Sequence, residues 1–236
     1  MTSPLLKYLA AVATAALLAL AGGPAASAAD DDTGIWGIAS TGDTIHRNNQ
    51  PTNWQYAIDG QLRRFNRGSG SNTYLLRSAI GYVLQNNVSL WAGYARVIND
   101  PEDGSTRHEN RWWQQAAWTP RRWDWGTLSL RSRLEFRFIE GSNDTGARFR
   151  QQVQLTAPIR NSDLSLVLSL EPFVNLRGTD WGAAGGFDQN RTYAGVRMPI
   201  TDSLSLEAGY MHQYIRRPGA EDAVNHVGLL HLRFKL

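Results

Sequence analysis

The chain has 236 residues, contains no cysteine and carries a formal net charge of +3. This length fits one β domain as well as two small domains. The lack of cysteine excludes a disulfide scaffold, a zinc site built on thiolates and cysteine-based catalysis. The basic residues are nearly all arginines scattered along the chain, and this distribution argues against a nucleic-acid-binding protein.

The N-terminal segment has the pattern of a cleaved signal peptide. Lys7 precedes an apolar run at residues 8–23, which is short for a membrane-spanning helix. Small residues follow at Ala26 and Ala28, where a signal peptidase requires them. A retained anchor helix is the alternative, but the polar residues that follow favour cleavage. We therefore predict export and exclude residues 1–28 from the fold.

Beyond residue 52, the chain alternates apolar and polar residues with the two-residue period of β-strands. In the preceding segment, residues 29–52, only Ile35–Ser40 indicates a strand. Trp113 and Gln114 interrupt the alternation, because each falls on the face opposite to the expected one. The alternating segments are residues 54–62, 74–84, 88–95, 109–118, 128–138, 147–155, 164–175, 189–198, 204–214 and 227–236.

The connections between these segments alternate between longer polar loops, such as residues 176–188, and short turns, such as residues 85–87. Such alternation is typical of an up-and-down β-barrel of the outer membrane, with extracellular loops and periplasmic turns. No linker or change of composition divides the mature chain. We therefore predict a single domain with the barrel at residues 53–236.

The segment Leu128–Phe138 indicates which face of the barrel meets lipid. Its apolar side chains fall on one face, and Arg131, Arg133, Glu135 and Arg137 fall on the other. An arginine facing lipid near the midplane costs about 2–4 kcal/mol, so exposing all four charges would cost on the order of 10 kcal/mol. We therefore predict an all-β, up-and-down antiparallel transmembrane β-barrel. A soluble lipocalin-like barrel or sandwich would put the apolar face inside, but such domains seldom carry so much arginine in register.

The expected number of strands is ten to twelve. If Ile35–Ser40 crossed the wall as an eleventh strand, the N-terminus would lie on the wrong side for a barrel with an even strand number. Either this segment lies at the rim or inside a barrel of ten strands, or a further short strand brings the total to twelve.

The polar faces of the alternating segments define the side chains expected in the lumen. Neighbouring strands set such side chains about 5 Å apart, so arginine–glutamate pairs can form. The arginines outnumber the acids, and rings of arginine are how pores favour anions. The residues predicted to face the lumen, as a pore lining or as a plug, are Glu109, Arg111, Arg131, Arg133, Glu135, Arg137, Arg148, Arg150, Glu171, Asn175, Gln189, Arg191 and Arg197.

The chain contains the short motifs "ENR" (109–111), "RLEFRF" (133–138), "EPFVN" (171–175), "FDQNR" (187–191) and "NHV" (225–227). These motifs resemble those of the DUF2490 family, which consists of uncharacterised outer-membrane β-barrel proteins. The motifs cover most of the mature chain in order and spacing. The resemblance implies a small outer-membrane barrel and no assigned activity. Many outer-membrane barrels end in an aromatic residue, whereas this chain ends in Leu236 with Phe234 two positions earlier.

We expect a porin-like protein of the bacterial outer membrane in a Gram-negative envelope, and two interpretations of its lumen are open. The first, which the sequence favours, is a small arginine-lined pore for ions or small anionic solutes. The second is a closed structural or adhesive barrel whose lumen is filled by arginine–glutamate pairs. Twelve strands would favour the pore, and ten strands would favour a lumen that is shut to all but small ions.

Catalysis is not expected. Outer-membrane lipid hydrolases and acyltransferases of this architecture place a His-x-Ser pair on the lipid-facing rim. None of the five histidines has a serine two positions later, so lipid-modifying activity through a cross-strand pair is the least favoured interpretation. No cofactor, metal site or nucleic-acid partner is expected. The expected partners are outer-membrane lipid, lipopolysaccharide and the barrel-insertion machinery.

Overall fold

The computed structural model describes residues 30–65, 70–84, 87–102 and 104–235, so the predicted signal peptide lies outside the described residues. The described residues form eleven β-strands. None of the described residues belongs to a helix that is long and apolar enough to cross a membrane. The strands are β1 (Asp30–Arg47), β2 (Gln50–Phe65), β3 (Ser71–Val83), β4 (Val88–Pro101), β5 (Arg107–Trp123), β6 (Gly126–Ile139), β7 (Thr145–Pro158), β8 (Ser165–Asn175), β9 (Gly186–Thr201), β10 (Leu204–Ile215) and β11 (Ala223–Phe234).

The strands form a closed barrel in which each one pairs with its neighbours in the chain. Consecutive strands are antiparallel, and the closing pair, β1 with β11, is parallel. An up-and-down barrel with an odd number of strands must close through one parallel pair, because its first and last strands run in the same direction. The structure confirms the predicted all-β, single-domain, up-and-down barrel, with eleven strands among the described residues.

The first strand lies neither at the rim nor inside the barrel, and it crosses the wall without the further strand that a twelve-stranded barrel would need. It is part of the wall. One of its edges pairs with β11, beginning with Asp30 opposite Ala223, and its other edge pairs with β2. Its alternation is hard to see in the sequence because glycines interrupt it. In the structure, however, Ile35 points outward with 64% of its surface exposed and Trp36 points inward with 4% exposed. The barrel is therefore neither ten- nor twelve-stranded, and the start of β1 and the end of β11 lie at opposite ends of it.

The connections alternate between the two ends of the barrel. Asn48 and Asn49 join β1 to β2 with φ values of 51° and 60°, the left-handed conformation that two-residue hairpins of type I′ require. We call the end that carries this turn the short-turn end. The β8–β9 loop, residues 176–185, lies at the other end, which we call the long-loop end.

The outer face of the wall is apolar around its whole circumference. Each strand exposes large apolar or aromatic side chains there, and these alternate with side chains that point into the lumen. A continuous exposed apolar surface of this kind marks a surface that meets lipid or another protein. One such residue from each strand, in chain order, is Ile35, Ile58, Leu76, Leu90, Trp112, Phe138, Val153, Leu170, Val196, Tyr210 and Leu230.

The inner face is less uniform than the alternation predicts. Besides polar side chains, it carries a buried apolar cluster of Trp36, Val167, Tyr193, Met211 and Val227. These residues come from β1 and from β8 to β11, so the cluster occupies one side of the lumen. The charged residues predicted from the sequence lie mainly on the other side, on β5 to β8.

The break in alternation at Trp113 has a packing explanation. Trp113 points into the lumen beside Gly93 on the neighbouring strand. A Cβ atom at Gly93 would overlap the indole ring and would lie 2.6 Å from the carbonyl oxygen of Ser78. Trp91 lies over Gly81 in the same way. The tryptophans therefore lie flat against the inner wall where a glycine leaves room for them, and the strand keeps its register.

Candidate functional site: the arginine lattice of the lumen

The residues predicted to face the lumen come from five neighbouring strands, β5 to β9. The strand register brings several of them together, for example Glu135 opposite Arg148 and Glu171 opposite Arg191. The predicted residues that line one shared internal cavity are Arg111, Arg131, Arg133, Glu135, Arg148, Arg150, Glu171 and Arg191. The remaining predicted residues are Glu109, Arg137, Asn175, Gln189 and Arg197.

Glu109 binds two arginines near the long-loop end. Its Oε1 accepts hydrogen bonds from Nε of Arg111 (2.7 Å) and Nε of Arg137 (2.5 Å). Its Oε2 accepts from Nη2 of the same two residues, at 2.9 and 3.1 Å. The Glu109 side chain is completely buried. Two bidentate forks on one carboxylate are a strong arrangement, but they leave two positive charges sharing one negative charge.

Glu135 occupies the centre of the charged side of the lumen. Its carboxylate accepts hydrogen bonds from Arg148 Nη2 (2.8 Å) and Arg150 Nη1 (2.7 Å). Arg133 Nη1 lies 3.7 Å from the same carboxylate. Arg133 and Arg150 are directly opposite each other in the strand register, a position in which like charges repel. The carboxylate of Glu135 reduces this repulsion because it contacts both guanidinium groups.

Glu171 extends the charged network to β8. Its Oε1 accepts hydrogen bonds from Arg131 Nη2 (2.6 Å) and Arg150 Nη2 (2.8 Å). Arg150 therefore links Glu171 to Glu135, and the network is continuous from β6 to β8. We call this network and the Glu109 cluster together the lumen lattice. It consists of Glu109, Glu135, Glu171, Arg111, Arg131, Arg137, Arg148 and Arg150.

Three predicted residues bind partners outside the lumen lattice. Asn175 donates a hydrogen bond to a backbone carbonyl of the β8–β9 loop (3.0 Å). Gln189 accepts one from Gln213. Arg197 pairs with Glu207 at 2.8 Å, near the short-turn end. The predicted set thus extends along the whole lumen, and only part of it forms the charged network.

Two arginines of the lumen are held by aromatic rings. No carboxylate of the described residues lies within ion-pair distance of Arg63 or Arg191. Arg63 Cζ lies 4.1 Å from the ring centre of Trp36, and Arg191 Cζ lies 4.8 Å from it. Arg191 also lies 4.6 Å from the ring centre of Phe173. The quadrupoles of the rings attract these cations, but they do not neutralise them.

These contacts continue across the lumen to the lattice. Arg150 Cζ lies 4.3 Å from the ring centre of Phe173, so β2, β1, β9, β8 and β7 are joined by alternating cations and rings. The Phe173 side chain is completely buried and Trp36 is 4% exposed. We call Arg63, Trp36, Arg191 and Phe173 the aromatic stack.

The β8–β9 loop contacts the charged side of the lumen at the long-loop end. Trp181 Nε1 donates a hydrogen bond to the backbone oxygen of Asp144 (3.1 Å). Its ring centre lies 4.8 Å from Arg137 Cζ. A Cβ atom at Gly146 would lie 2.5 Å from the indole, so the glycine makes room for Trp181. The loop therefore caps the lumen lattice on this side.

A cavity of about 410 Å³ lies inside the barrel, next to the lumen lattice and the aromatic stack. Nine arginines and four carboxylates line it, so its lining carries an excess of positive charge. Toward the short-turn end the lining continues through the half-buried polar residues Ser40, Gln154 and Ser169. We call this cavity the arginine chamber.

The prediction omitted several residues that line the arginine chamber. Asp59 and Arg77 pair at 2.7 Å, and both lie on polar faces of alternating segments, as Arg63 does. Their places in the alternation could have identified them. Trp36 carried no such signal, because it is aromatic and belongs to the segment expected at the rim. Glu207 could have been identified from its polar position in the alternation.

The structure also brings together a serine and a histidine that are far apart in the sequence. Ser40 Oγ lies 2.7 Å from His231 Nε2, inside the lumen. The nearby carboxylate of Glu207 accepts hydrogen bonds from Arg197 and Arg233. The carboxylate of Asp59 accepts from Arg77. Each carboxylate that could orient the imidazole is thus engaged with an arginine.

Two acids at the long-loop end, outside the strands, have shifted pKa values. The hydrogen bond from the Tyr214 hydroxyl, together with one from the Arg217 backbone N–H, lowers the pKa of Asp222. The hydrogen bond from Arg96 Nη1 (2.6 Å) lowers the pKa of Glu140. Both carboxylates are consequently charged at neutral pH.

Comparison with known proteins gives a family and a relative. A family model described as "Protein of unknown function (DUF2490)" matches residues 33–225. An uncharacterized protein of Methylorubrum extorquens is 30% identical over 179 residues, which are 75% of this chain and 78% of that protein. Both findings agree with the resemblance seen in the short motifs, and neither description names an activity.

Proposed function

We propose a role from the geometry of the lumen, because the chain belongs to the DUF2490 family of proteins of unknown function. The proposed protein is a β-barrel of the bacterial outer membrane. Its lumen is closed to solutes by the lumen lattice and the aromatic stack. Its partners are the lipid and lipopolysaccharide of that membrane and the machinery that inserts barrels.

The outer face of the wall supports the membrane placement. Each of the eleven strands exposes large apolar side chains on that face, and the ionisable residues of β6 point inward. A soluble barrel would bury its apolar face and expose its charges. The observed arrangement is favourable in lipid, because the apolar outer face meets hydrocarbon. A closed barrel also satisfies its backbone hydrogen bonds internally, as a lipid environment requires.

The proposal that the lumen is closed rests on the deep burial of side chains inside it. Glu109 and Phe173 have no exposed surface, and Glu135 is 2% exposed. The aromatic stack reaches from β1 to β8, and ion pairs of the lattice continue from β8 to β6. We expect packed side chains that are bound to one another by ion pairs to leave no solute-sized path through the lumen.

Planar-bilayer recording of the refolded protein tests the closed lumen. We expect no steady conductance from the wild type. The double variant Trp36→Ala, Phe173→Ala removes the rings of the aromatic stack and is expected to conduct. The double variant Leu170→Ala, Leu230→Ala makes comparable truncations on the outer face and is the matched control. A steady conductance from the wild type would contradict closure.

A narrow anion-preferring pore is the second candidate, and the arginine excess in the chamber favours it. Steady wild-type conductance with a preference for anions would support this candidate, because fixed positive charges attract anions into a pore. Conductance without that preference would contradict the role given to the arginines.

The membrane placement has its own test. The protein extracted from outer membranes is expected to migrate faster on denaturing gels before heating than after heating, as stable barrels do. Recovery of the protein from the cytosol or as a freely secreted species would contradict the placement.

We propose no catalytic role. Ser40 and His231 are within hydrogen-bond distance, but the adjacent carboxylates are engaged with arginines. The imidazole therefore lacks the orienting acid of a catalytic triad. We expect no labelling of the refolded barrel by a fluorophosphonate probe. Labelling that is lost in Ser40→Ala would contradict this proposal and support a hydrolase.

A further inference from the structure

We propose that the arginine chamber is a binding site for a small phosphate-class oxyanion, held by Arg63, Arg133 and Arg191. The site goes beyond the proposed closed barrel, because the chamber lies inside the barrel whether or not the lumen conducts. The ligand class is inorganic phosphate or a small phosphate ester.

The charge of the chamber is the first observation. Its lining contains nine arginines and four carboxylates. The carboxylates are already shared, since Glu135 and Glu171 each accept hydrogen bonds from two arginines. Buried positive charge without a counter-charge is unfavourable, so the lining as a whole requires an anion.

Two of the three proposed ligands lack any carboxylate partner among the described residues. The Arg191 guanidinium lies over the rings of Trp36 and Phe173, and Glu171, although opposite Arg191 in the strand register, is outside ion-pair distance. Arg63 donates to the amide oxygen of Gln61 (2.6 Å). Arg63 and Arg191 lie against the same ring, that of Trp36, with Cζ 4.1 and 4.8 Å from its centre. Cations held next to one another by aromatic rings form a site prepared for an anion.

Unsatisfied donors are the independent observation. Arg133 is 4% exposed, and its Nε and Nη2 donate to Gln115 at 3.0 and 2.6 Å. Its Nη1 has no hydrogen-bond partner among the described residues, and neither has Nε of Arg191. Buried polar groups are nearly always hydrogen-bonded. Such donors in a positively charged cavity indicate an oxygen-rich ligand.

The number of donors favours phosphate over a carboxylate. Arg63, Arg133 and Arg191 come from β2, β6 and β9 and therefore approach the chamber from different sides. A guanidinium has five N–H donors, so Arg63 and Arg133, whose Nε and Nη2 donate to Gln61 and Gln115, still have N–H groups for the oxygens of an anion. A carboxylate has two oxygens and one charge, whereas phosphate has four oxygens and up to two charges near neutral pH. The volume of about 410 Å³ also leaves room for the organic part of an ester.

Calorimetric titration of the refolded full-length barrel in detergent tests the site, with inorganic phosphate as the probe and acetate as the comparison. We expect phosphate to bind and acetate to bind more weakly. Arg191→Gln and Arg63→Gln are each expected to weaken phosphate binding about tenfold or more, since each removes a charge-assisted donor pair. Arg160→Gln alters an exposed arginine in the β7–β8 turn and is the matched control.

Unfolding provides a second readout that a purely structural arginine would not produce. In phosphate-free buffer, Arg191→Gln is expected to shift the urea midpoint upward, because it reduces the excess of positive charge around the chamber. Phosphate is expected to raise the wild-type midpoint more than that of the variant. The proposal is overturned if correctly folded wild type binds no phosphate, or if Arg160→Gln weakens binding as much as Arg191→Gln does. A conductance result leaves this test unaffected, so the two proposals fail separately.

Discussion

Among individual residues, Glu135 has the greatest influence on the lumen lattice. It separates two arginines that face each other across neighbouring strands and binds a third. A buried ion network adds little stability over an apolar core, but removing one partner from it leaves uncompensated charge. The lattice is therefore more sensitive to the loss of an acid than to the loss of an arginine, because arginines are in excess.

Glu135→Gln is expected to lower the free energy of unfolding by about 3–5 kcal/mol, since it leaves buried guanidinium groups without a counter-charge. Urea unfolding in detergent, followed by tryptophan fluorescence, measures the loss. Glu140→Gln is the control, because it removes an exposed ion pair with Arg96 and is expected to have no measurable effect. Equal effects of the two substitutions would show that the lattice carries no special share of the stability.

Asp222 gives a residue-level prediction about pH. Its lowered pKa means that its bonds to Tyr214 and Arg217 stabilise the long-loop end at neutral pH. That contribution is lost as the pH falls through the lowered pKa. Carboxyl NMR titration is expected to show a midpoint below the usual range for aspartate, and Tyr214→Phe is expected to raise it. An unchanged midpoint in the variant would show that the hydroxyl does not cause the shift.

At the scale of single strands, two glycines each leave room for a tryptophan of the neighbouring strand. Trp91 and Trp113 lie on the inner wall because Gly81 and Gly93 have no Cβ atom in the way. Arg133 then packs over Trp113, with its Cζ 4.0 Å from the ring centre. A strand that looks irregular in the sequence thereby supports one arginine of the lumen.

Gly93→Ala is expected to lower the free energy of unfolding by about 1–3 kcal/mol, because the added methyl group overlaps the Trp113 indole. Gly60→Ala is the matched control, since nothing lies within 4 Å of a Cβ atom placed there. Chemical unfolding of both variants measures the difference. If Gly60→Ala were equally destabilising, the loss would reflect the strand backbone and not the packing of Trp113.

The outer face and the lumen of the whole barrel differ in how their polar and apolar side chains are distributed. Its outer face is apolar, whereas its lumen has an apolar cluster on one side and the lumen lattice on the other. The parallel closure between β1 and β11 brings Trp36 into the apolar cluster. From there the aromatic stack reaches the lattice.

The proposed membrane placement predicts a dependence on depth. Leu230→Arg, near the middle of β11 on the outer face, is expected to destabilise the barrel in lipid vesicles by about 2–4 kcal/mol. Ile200→Arg, near the short-turn end of β9, is expected to cost about 0–1 kcal/mol, because the arginine reaches the interface. Both side chains are exposed in the barrel. Equal costs at the two positions, measured by reversible unfolding in lipid, would contradict a lipid-facing wall.

Much of the architecture was predictable because it depends on local patterns. Alternation identified ten strands and the inward face of β6, since the cost of misplacing Arg131, Arg133, Glu135 and Arg137 is large. Short motifs identified the family. The lattice residues on β5 to β8 were also predictable, because they follow from the same alternation and from the complementary charges of arginine and glutamate.

The sequence by itself thus determined the barrel, the orientation of its faces and the candidate lumen residues, because each depends on the two-residue period of single strands. Only the tertiary structure decided the number of strands, the parallel closure through β1 and the pairing of each arginine. These features depend on which strands meet around the ring and which side chains meet across the lumen. The period of one strand carries no information about contacts such as those of Trp36 with Arg63 and Arg191, which join three strands.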